Sequence, residues 1–284
     1  MPDAADRPTA AVGSRALRVR AEVEPVEERA WLAGWLPPAG RVHRGAARVR
    51  LADARPCRRG RLDALARLLQ DVAEDDVEDA GLGDEVGWML RRTAMRVERF
   101  PVLGEQLSLV TFCSATGARW AERTTLVTGD AGARVATRAV WVAIDRRSGS
   151  PARLDARFED VYGPSAGGRT VGLRLTLPGP PAGMARAATE RSWPLRAADL
   201  DVWGHANNAV AWAAIEDALE EQPLTPLAAA VEHPAALLPD AAPRLVVAAD
   251  DPVRHVWLVG AQDGRVLVAA RVGPPEHVRL STGR

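Results

Sequence analysis

Residues 199–219, DLDVWGHANNAVAWAAIEDAL, change character halfway through. Asp199 and Asp201 alternate along what reads as extended chain. Gly204, His205 and the pair Asn207–Asn208 follow, and then Val210, Ala211, Trp212, Ala214 and Ile215 fall at helical spacing. Such a run predicts a strand end, a turn and a helix over 207–220 whose first turn gathers carboxylate, imidazole and amide side chains. A helix N-terminus carries unpaired N–H groups and a partial positive charge of about 0.5, so it suits the holding of negative charge.

The same order appears earlier. RVHRGAARVRLADA from Arg41 alternates like a strand, RPCRRG breaks it, and RLDALARLLQDVAEDDVEDAG places Leu62, Leu65, Ala66, Leu69, Val72 and Ala73 on one helical face, with Gly81 and Gly83 as stops. Beyond it, WMLRRTAMRVERF, LSLVTFCS, WAERTTLVTG and ARVATRAVWVAID read as strands of an antiparallel meander parted by turns such as GDAG at 129–132. Asp53 and Asp199 stand 146 residues apart (199 − 53), and Gly60 and Gly204 stand 144 apart (204 − 60). VERFPVLGEQLSLV at 97–110 pairs with VEHPAALLPDAAPRLVV at 231–247, and GDAG pairs with QDGR at 262–265. Four landmarks in one order argue for a duplicated unit. The expected organisation is α+β: an N-terminal extension over 1–40, a first unit over 41–160, a Pro/Gly-rich linker over 161–183 containing YGPSAGG and LPGPPAG, and a second unit over 184–284. Residues 1–14 read as a loose tail.

Composition narrows the function classes. Of 284 residues 47% are apolar and 26% charged, enough for a core and too ordered for general disorder. The 37 basic residues, all arginine, balance 37 acidic ones, so no global field favours nucleic acid or an anionic membrane. No apolar run approaches the ~20 residues of a membrane-spanning helix, and no apolar leader opens the chain, so a cytoplasmic protein without membrane contact is expected. Cys57 and Cys113 have no metal or redox spacing and read as buried apolar residues; no metal or cofactor is expected. The acidic run EDDVED at 74–79 reads as a solvated helix end.

Asp201, Gly204, His205, Asn207 and Asn208, together with RLDALARLLQDVAEDD, WMLRRTAMRVERFPVLGEQL and RAVWVAID in the first half, resemble the acyl-acyl-carrier-protein (acyl-ACP) thioesterases over roughly residues 41–272. That resemblance implies a tandem double hotdog, each unit an antiparallel sheet wrapped around a central helix. It implies hydrolysis of the thioester between a fatty acyl chain and the phosphopantetheine arm of an acyl carrier protein, with chemistry in the second hotdog and a contribution to the acyl pocket from the first. Asp201 then takes a proton from water or attacks directly, and His205 orients the carbonyl or water, or returns a proton to the leaving thiolate. Backbone N–H groups entering the 207–220 helix serve as oxyanion donors, with Gly204, Asn207 and Asn208 forming the turn and cap; losing one such donor typically costs ~3–4 kcal/mol of transition-state stabilisation.

Trp203 and Trp212 are candidates for lining an acyl tunnel, with a core role as the alternative. GRLDA at 60–64 stands where the second half has GHANN, so the first copy is degenerate. Three positions depart from the plant pattern. Trp203 replaces an Asn, Ala211 replaces a Tyr, and neither an acid nor a thiol stands near Ala236–Leu237. Two rivals stay open: an acyl-CoA thioesterase of the same fold, and a non-catalytic binder of acyl thioesters. Arg91, Arg92 and Arg96 are candidates for meeting an acidic carrier. The duplicated unit supplies its own pairing, so the assembly is expected to be a monomer or a homodimer.

Overall fold

A computed structural model describes residues 26–83, 86–180, 188–219 and 225–278. The tail at 1–14 lies outside these residues. The chain divides into two compact units at Leu36/Pro37. In the first, helix α1 (Val26–Ala33) is described, with the Trp31 and Trp35 rings 6.3 Å apart.

The second unit holds one ten-stranded antiparallel sheet and three helices. Its first part runs β1 (His43–Arg48), α2 (Leu62–Asp79), β2 (Val86–Arg99), β3 (Gln106–Thr116), β4 (Trp120–Gly129), β5 (Arg134–Asp145) and α3 (Ala156–Ala166). Its later part runs β6 (Ala188–Ser192), α4 (Ala209–Ala218), β7 (Leu227–Glu232), β8 (Arg244–Asp250), β9 (Val253–Val259) and β10 (Val266–Gly273). The strand order is β1-β3-β4-β5-β2-β7-β10-β9-β8-β6. Read inward from either edge, each half follows the same scheme: first strand, third, fourth, fifth, second. The second strands of the two halves meet at the centre, where Arg92 to Val97 on β2 pair with Glu232 to Leu227 on β7.

This is a tandem hotdog of α+β class, as the repeat predicts. Leu62, Leu65 and Val72 of α2, and Val210, Ala211, Trp212, Ala214 and Ile215 of α4, enter one core with Met95, Val97, Leu245 and Leu258 from the sheet. The predicted helix and meander boundaries lie within two residues of those observed: WAERTTLVTG is β4 itself, and the turns at 129–132 and 262–265 both fall between the last two strands of their halves.

Two local expectations are corrected, and EDDVED, mostly solvated as expected, has one buried member, Asp76. YGPSA belongs to α3 rather than to a connector. Asp155 caps that helix by accepting from the Phe158 N–H at 2.8 Å, and Tyr162 packs against Phe158, so capping and aromatic burial outweigh Pro164. Cys57 is exposed, whereas Cys113 is buried and its thiol is pushed up to about 12 by that burial. Asp76 accepts from Arg41 Nε at 2.6 Å, Arg123 Nη1 at 2.5 Å and Tyr162 Oη at 3.0 Å. A buried carboxylate needs such partners, and helical spacing alone does not announce them.

Beyond β7, His233 donates its backbone N–H to Arg91 O at 2.9 Å. Part of its ring reaches the surface, yet Nε2 is enclosed without a hydrogen-bond partner. Burial, helped by the neighbouring Arg91 charge, pushes the imidazole down to about 4. An unfolded histidine takes up its proton near pH ~6.5. The folded form resists protonation until lower pH, so this site's contribution to stability is complete above pH ~6.5 and declines as pH falls towards 4. The contribution is at most on the order of 3 kcal/mol. The expected result is that urea midpoints at pH 7.5 and 5 differ less in His233→Asn than in the unaltered protein. An identical pH dependence in both would refute the assignment.

Candidate active site

The segment before α4 folds as a small loop closed by its own polar groups. Arg196 and Asp199 bracket a single 3-10 turn: the Arg196 N–H donates to Asp199 Oδ2 at 2.8 Å, and Arg196 Nη2 to Asp199 Oδ1 at 2.6 Å. Burial raises the Asp199 carboxyl, but the Arg196 hydrogen bonds outweigh it and hold the group below the usual carboxylate range. Asp199 is therefore structural, holding the turn through Arg196. Leu200 then bridges Ala206, and the Asp201 N–H donates to His205 O at 2.8 Å. Asp201 Oδ1 accepts from the N–H groups of Trp203 at 2.9 Å and His205 at 3.1 Å. The turn needs a left-handed residue, and Gly204 supplies it with φ 74°.

This loop brings Asp201 and His205 together through their backbones, with Asp201 half-buried and His205 exposed. Asn207 Oδ1 accepts from the Ala209 N–H at 2.9 Å, which makes it a helix-capping residue. Asn208 takes the N-cap position itself, without a side-chain cap bond. Trp203 is 61% exposed, and the Arg146 guanidinium lies 5.3 Å from its ring centre. Trp212 is buried in the core.

Cavities of about 430, 190 and 30 Å³ adjoin the loop, and neither Asp201 nor His205 lines any of the three. The 430 Å³ space has a polar lining that includes Arg61, Arg196, Asp199 and Glu216. The 190 Å³ space lies between α2, α3 and the sheet, and is lined by Trp88, Cys113, Trp141, Phe158 and Trp203. The 30 Å³ space is lined by Asn208, Trp212, Leu90 and Thr137. Gln70, Ala73, Arg123 and Trp141 line both of these last two, so they share a wall. Trp203 from the later half thus borders a mostly apolar space built from the earlier half. The family position near Ala236–Leu237 lies beside the loop, because the Ala206 N–H donates to Leu237 O at 2.9 Å. Among the described residues no cluster of metal-ligating side chains occurs.

The first half carries a second version of this loop in the same register, offset by 146 residues throughout. Arg50 and Asp53 repeat Arg196 and Asp199; the bridge Ala54–Gly60 repeats Leu200–Ala206; and the Arg61 N–H donates to Asp53 O as the Asn207 N–H does to Asp199 O, both at 2.8 Å. The alignment of Gly60 with Gly204 is corrected by this. Arg58, with φ 70°, occupies the place of Gly204, so RRGRL at 58–62 stands where GHANN stands. A glycine was the natural landmark, but the left-handed turn is held there by an arginine. Arg55 replaces Asp201, Arg59 replaces His205, and Leu62 replaces Asn208.

Sequence reading missed what fills this first copy. Glu216, buried on α4, accepts from Arg55 Nη1 at 2.8 Å, from Arg59, and from the Leu62 N–H at 2.9 Å. A carboxylate from the second half therefore occupies the α2 N-terminus in the first. The sequence signal was a lone acid, Glu216, on the apolar face of AVAWAAIEDAL.

The acyl-ACP thioesterase N-terminal domain family matches residues 40–162. An uncharacterised protein of Mycobacterium tuberculosis is 27% identical over 188 residues, covering 66% of this chain and 74% of its own length. Among solved structures, the 12:0-ACP thioesterase of Umbellularia californica superposes with a TM-score of 0.65 at 19% identity, covering 83% of this chain and 97% of that one. An acyl-ACP thioesterase of Bacteroides thetaiotaomicron gives 0.63 at 16% identity, covering 82% and 97%. At such identities the two structures establish the shared fold.

Replacing Glu216 by alanine removes the buried carboxylate shared by Arg55, Arg59 and the Leu62 N–H. Breaking a buried pair from one side typically costs ~3–5 kcal/mol, and the partial exposure of both arginines places this case at the low end. Chemical denaturation of Glu216→Ala is expected to show a loss of that size, and a change below ~1 kcal/mol would contradict the assignment.

Proposed function

We propose that this chain, whose residues 40–162 match the acyl-ACP thioesterase N-terminal domain family, hydrolyses fatty acyl thioesters carried on acyl carrier protein, with Asp201 and His205 as the reacting pair. The observation that carries this reading is the contrast between the two copies of one loop. In the first, arginines and Glu216 close the helix N-terminus; in the second, Asp201 and His205 stand before a helix whose first turn lines a cavity.

The chemistry follows from these groups. Water attacks the thioester carbonyl carbon, and Asp201 accepts its proton. Oδ1 of Asp201 is engaged by two loop N–H groups, which fix the carboxylate while Oδ2 takes no part in those two bonds. Negative charge on the carbonyl oxygen is met by the Asn208 N–H and the helix dipole, since the Ala209, Val210 and Ala211 N–H groups are already taken by Asn207 and Asn208. The carbon–sulfur bond then breaks, His205 supplies the proton for the departing thiolate, and the products are a fatty acid and a free phosphopantetheine thiol. The acyl chain occupies the 190 Å³ cavity, whose Trp88, Phe158 and Trp203 give it apolar contact. Arg91 and Arg92 on β2 donate to Pro234 O and Arg174 O, each at 3.3 Å, and Arg96 lies 3.6 Å from Glu98. All three stand on β2.

Purified protein given acyl-ACP and acyl-CoA of several chain lengths, with free thiol followed, distinguishes the alternatives. The expected outcome is turnover of acyl-ACP that falls by ~100-fold or more in kcat for Asp201→Ala and for His205→Ala. Preference for acyl-CoA would favour the CoA thioesterase reading. Tight acyl binding without thiol release by the unaltered protein would favour a non-catalytic binder.

A further inference from the structure

The internal duplication assigns a partner to every residue of the site, and one has no role in the scheme above. Glu216 seals the first copy by accepting the Leu62 N–H at 2.9 Å. Carried through the 146-residue offset, Leu62 becomes Asn208 and Glu216 becomes Gln70. The structure agrees with that mapping: Gln70 and Asn208 line the same small cavity, and Gln70 also lines the larger apolar one. Gln70 therefore stands where the acyl space meets the α4 N-terminus.

We propose that Gln70 is a catalytic residue whose side-chain amide holds the thioester carbonyl at the N-terminus of α4. The assignment rests on the thioesterase reading of this site. Its basis is chemical as well as geometric. Glu216 shows what a carboxylate does at this place: it takes the Leu62 N–H for itself and draws in two arginines. That N–H is then not available to a substrate. A glutamine is the same length and neutral. Its Nε2 donates to the carbonyl oxygen alongside the Asn208 N–H, so charge developing on that oxygen gains a donor and meets no fixed anion. The two copies differ accordingly. Arg55 and Arg59 close on Glu216, whereas the corresponding Asp201 and His205 make no hydrogen bond to Gln70.

Two readouts test this. In thiol-release assays with acyl-ACP, Gln70→Ala is expected to lower kcat by ~100-fold with KM nearly unchanged, and Gln70→Glu to lower it further, while both keep the thermal midpoint of the unaltered protein. The second readout needs no turnover. An acyl-pantetheine analogue with methylene in place of sulfur, ¹³C-labelled at the ketone, is bound and its carbonyl stretch recorded by infrared difference spectroscopy. A donor at Gln70 lowers that frequency in the unaltered protein, and Gln70→Ala raises it again. Absence of turnover in the unaltered protein would count against hydrolysis and leave the spectrum to judge Gln70. An analogue that fails to bind, an equal carbonyl frequency in both proteins, or an undiminished kcat in Gln70→Ala would overturn the proposal.

Discussion

The pairing of β2 with β7 is the constraint on which the rest of the molecule depends. Six consecutive residues of each strand, from Arg92–Glu232 to Val97–Leu227, join two five-stranded halves into one sheet. Because the pairing is antiparallel and each half repeats the same strand order, the halves are related by an approximate two-fold. The helices α2 and α4 are then forced side by side, and each presents its middle to the start of the other. Glu216 reaching Leu62, and Gln70 sharing a cavity with Asn208, are two expressions of that single geometric fact. Without the central seam the edges of β2 and β7 would also be left as unpaired hydrogen-bonding surfaces.

Within this frame, division of labour comes from a few side chains. The earlier half keeps a wide sheet and the additional helix α3, which with Trp88 and Phe158 encloses apolar space. Its buried Asp76, bound by Arg41, Arg123 and Tyr162, ties the end of α2 to β4 and α3. The later half keeps the polar loop. Trp203 crosses from the loop to the border of the earlier half's cavity, where Arg146 meets its ring. The position that holds an asparagine in the plant pattern is therefore an aromatic wall here.

Much of the fold was legible because it rests on periodicity. The apolar faces of α2 and α4 and the alternation of β4 and β5 follow directly from residue spacing, and the repeat of Asp53 at Asp199 gave the true offset. Gly60 misled because turn conformation, not residue identity, is what the two loops share: Arg58 takes up a positive φ that glycine normally supplies. Of the candidate site, the loop was legible because Asp201 and His205 lie four residues apart and their backbone pairing is local. Glu216 and the Asp76 network act across separations of dozens to more than a hundred residues, and composition carries no trace of which distant segment a buried polar group will meet.

Fusion of the two hotdogs into one polypeptide has a consequence beyond geometry. In an assembly of two identical subunits every substitution occurs twice, and a residue good for one pocket is imposed on the other. Here Arg59 and His205 occupy corresponding places and were free to diverge. One loop became a rivet of two arginines and a carboxylate, while the other kept a carboxylate and an imidazole in the corresponding places.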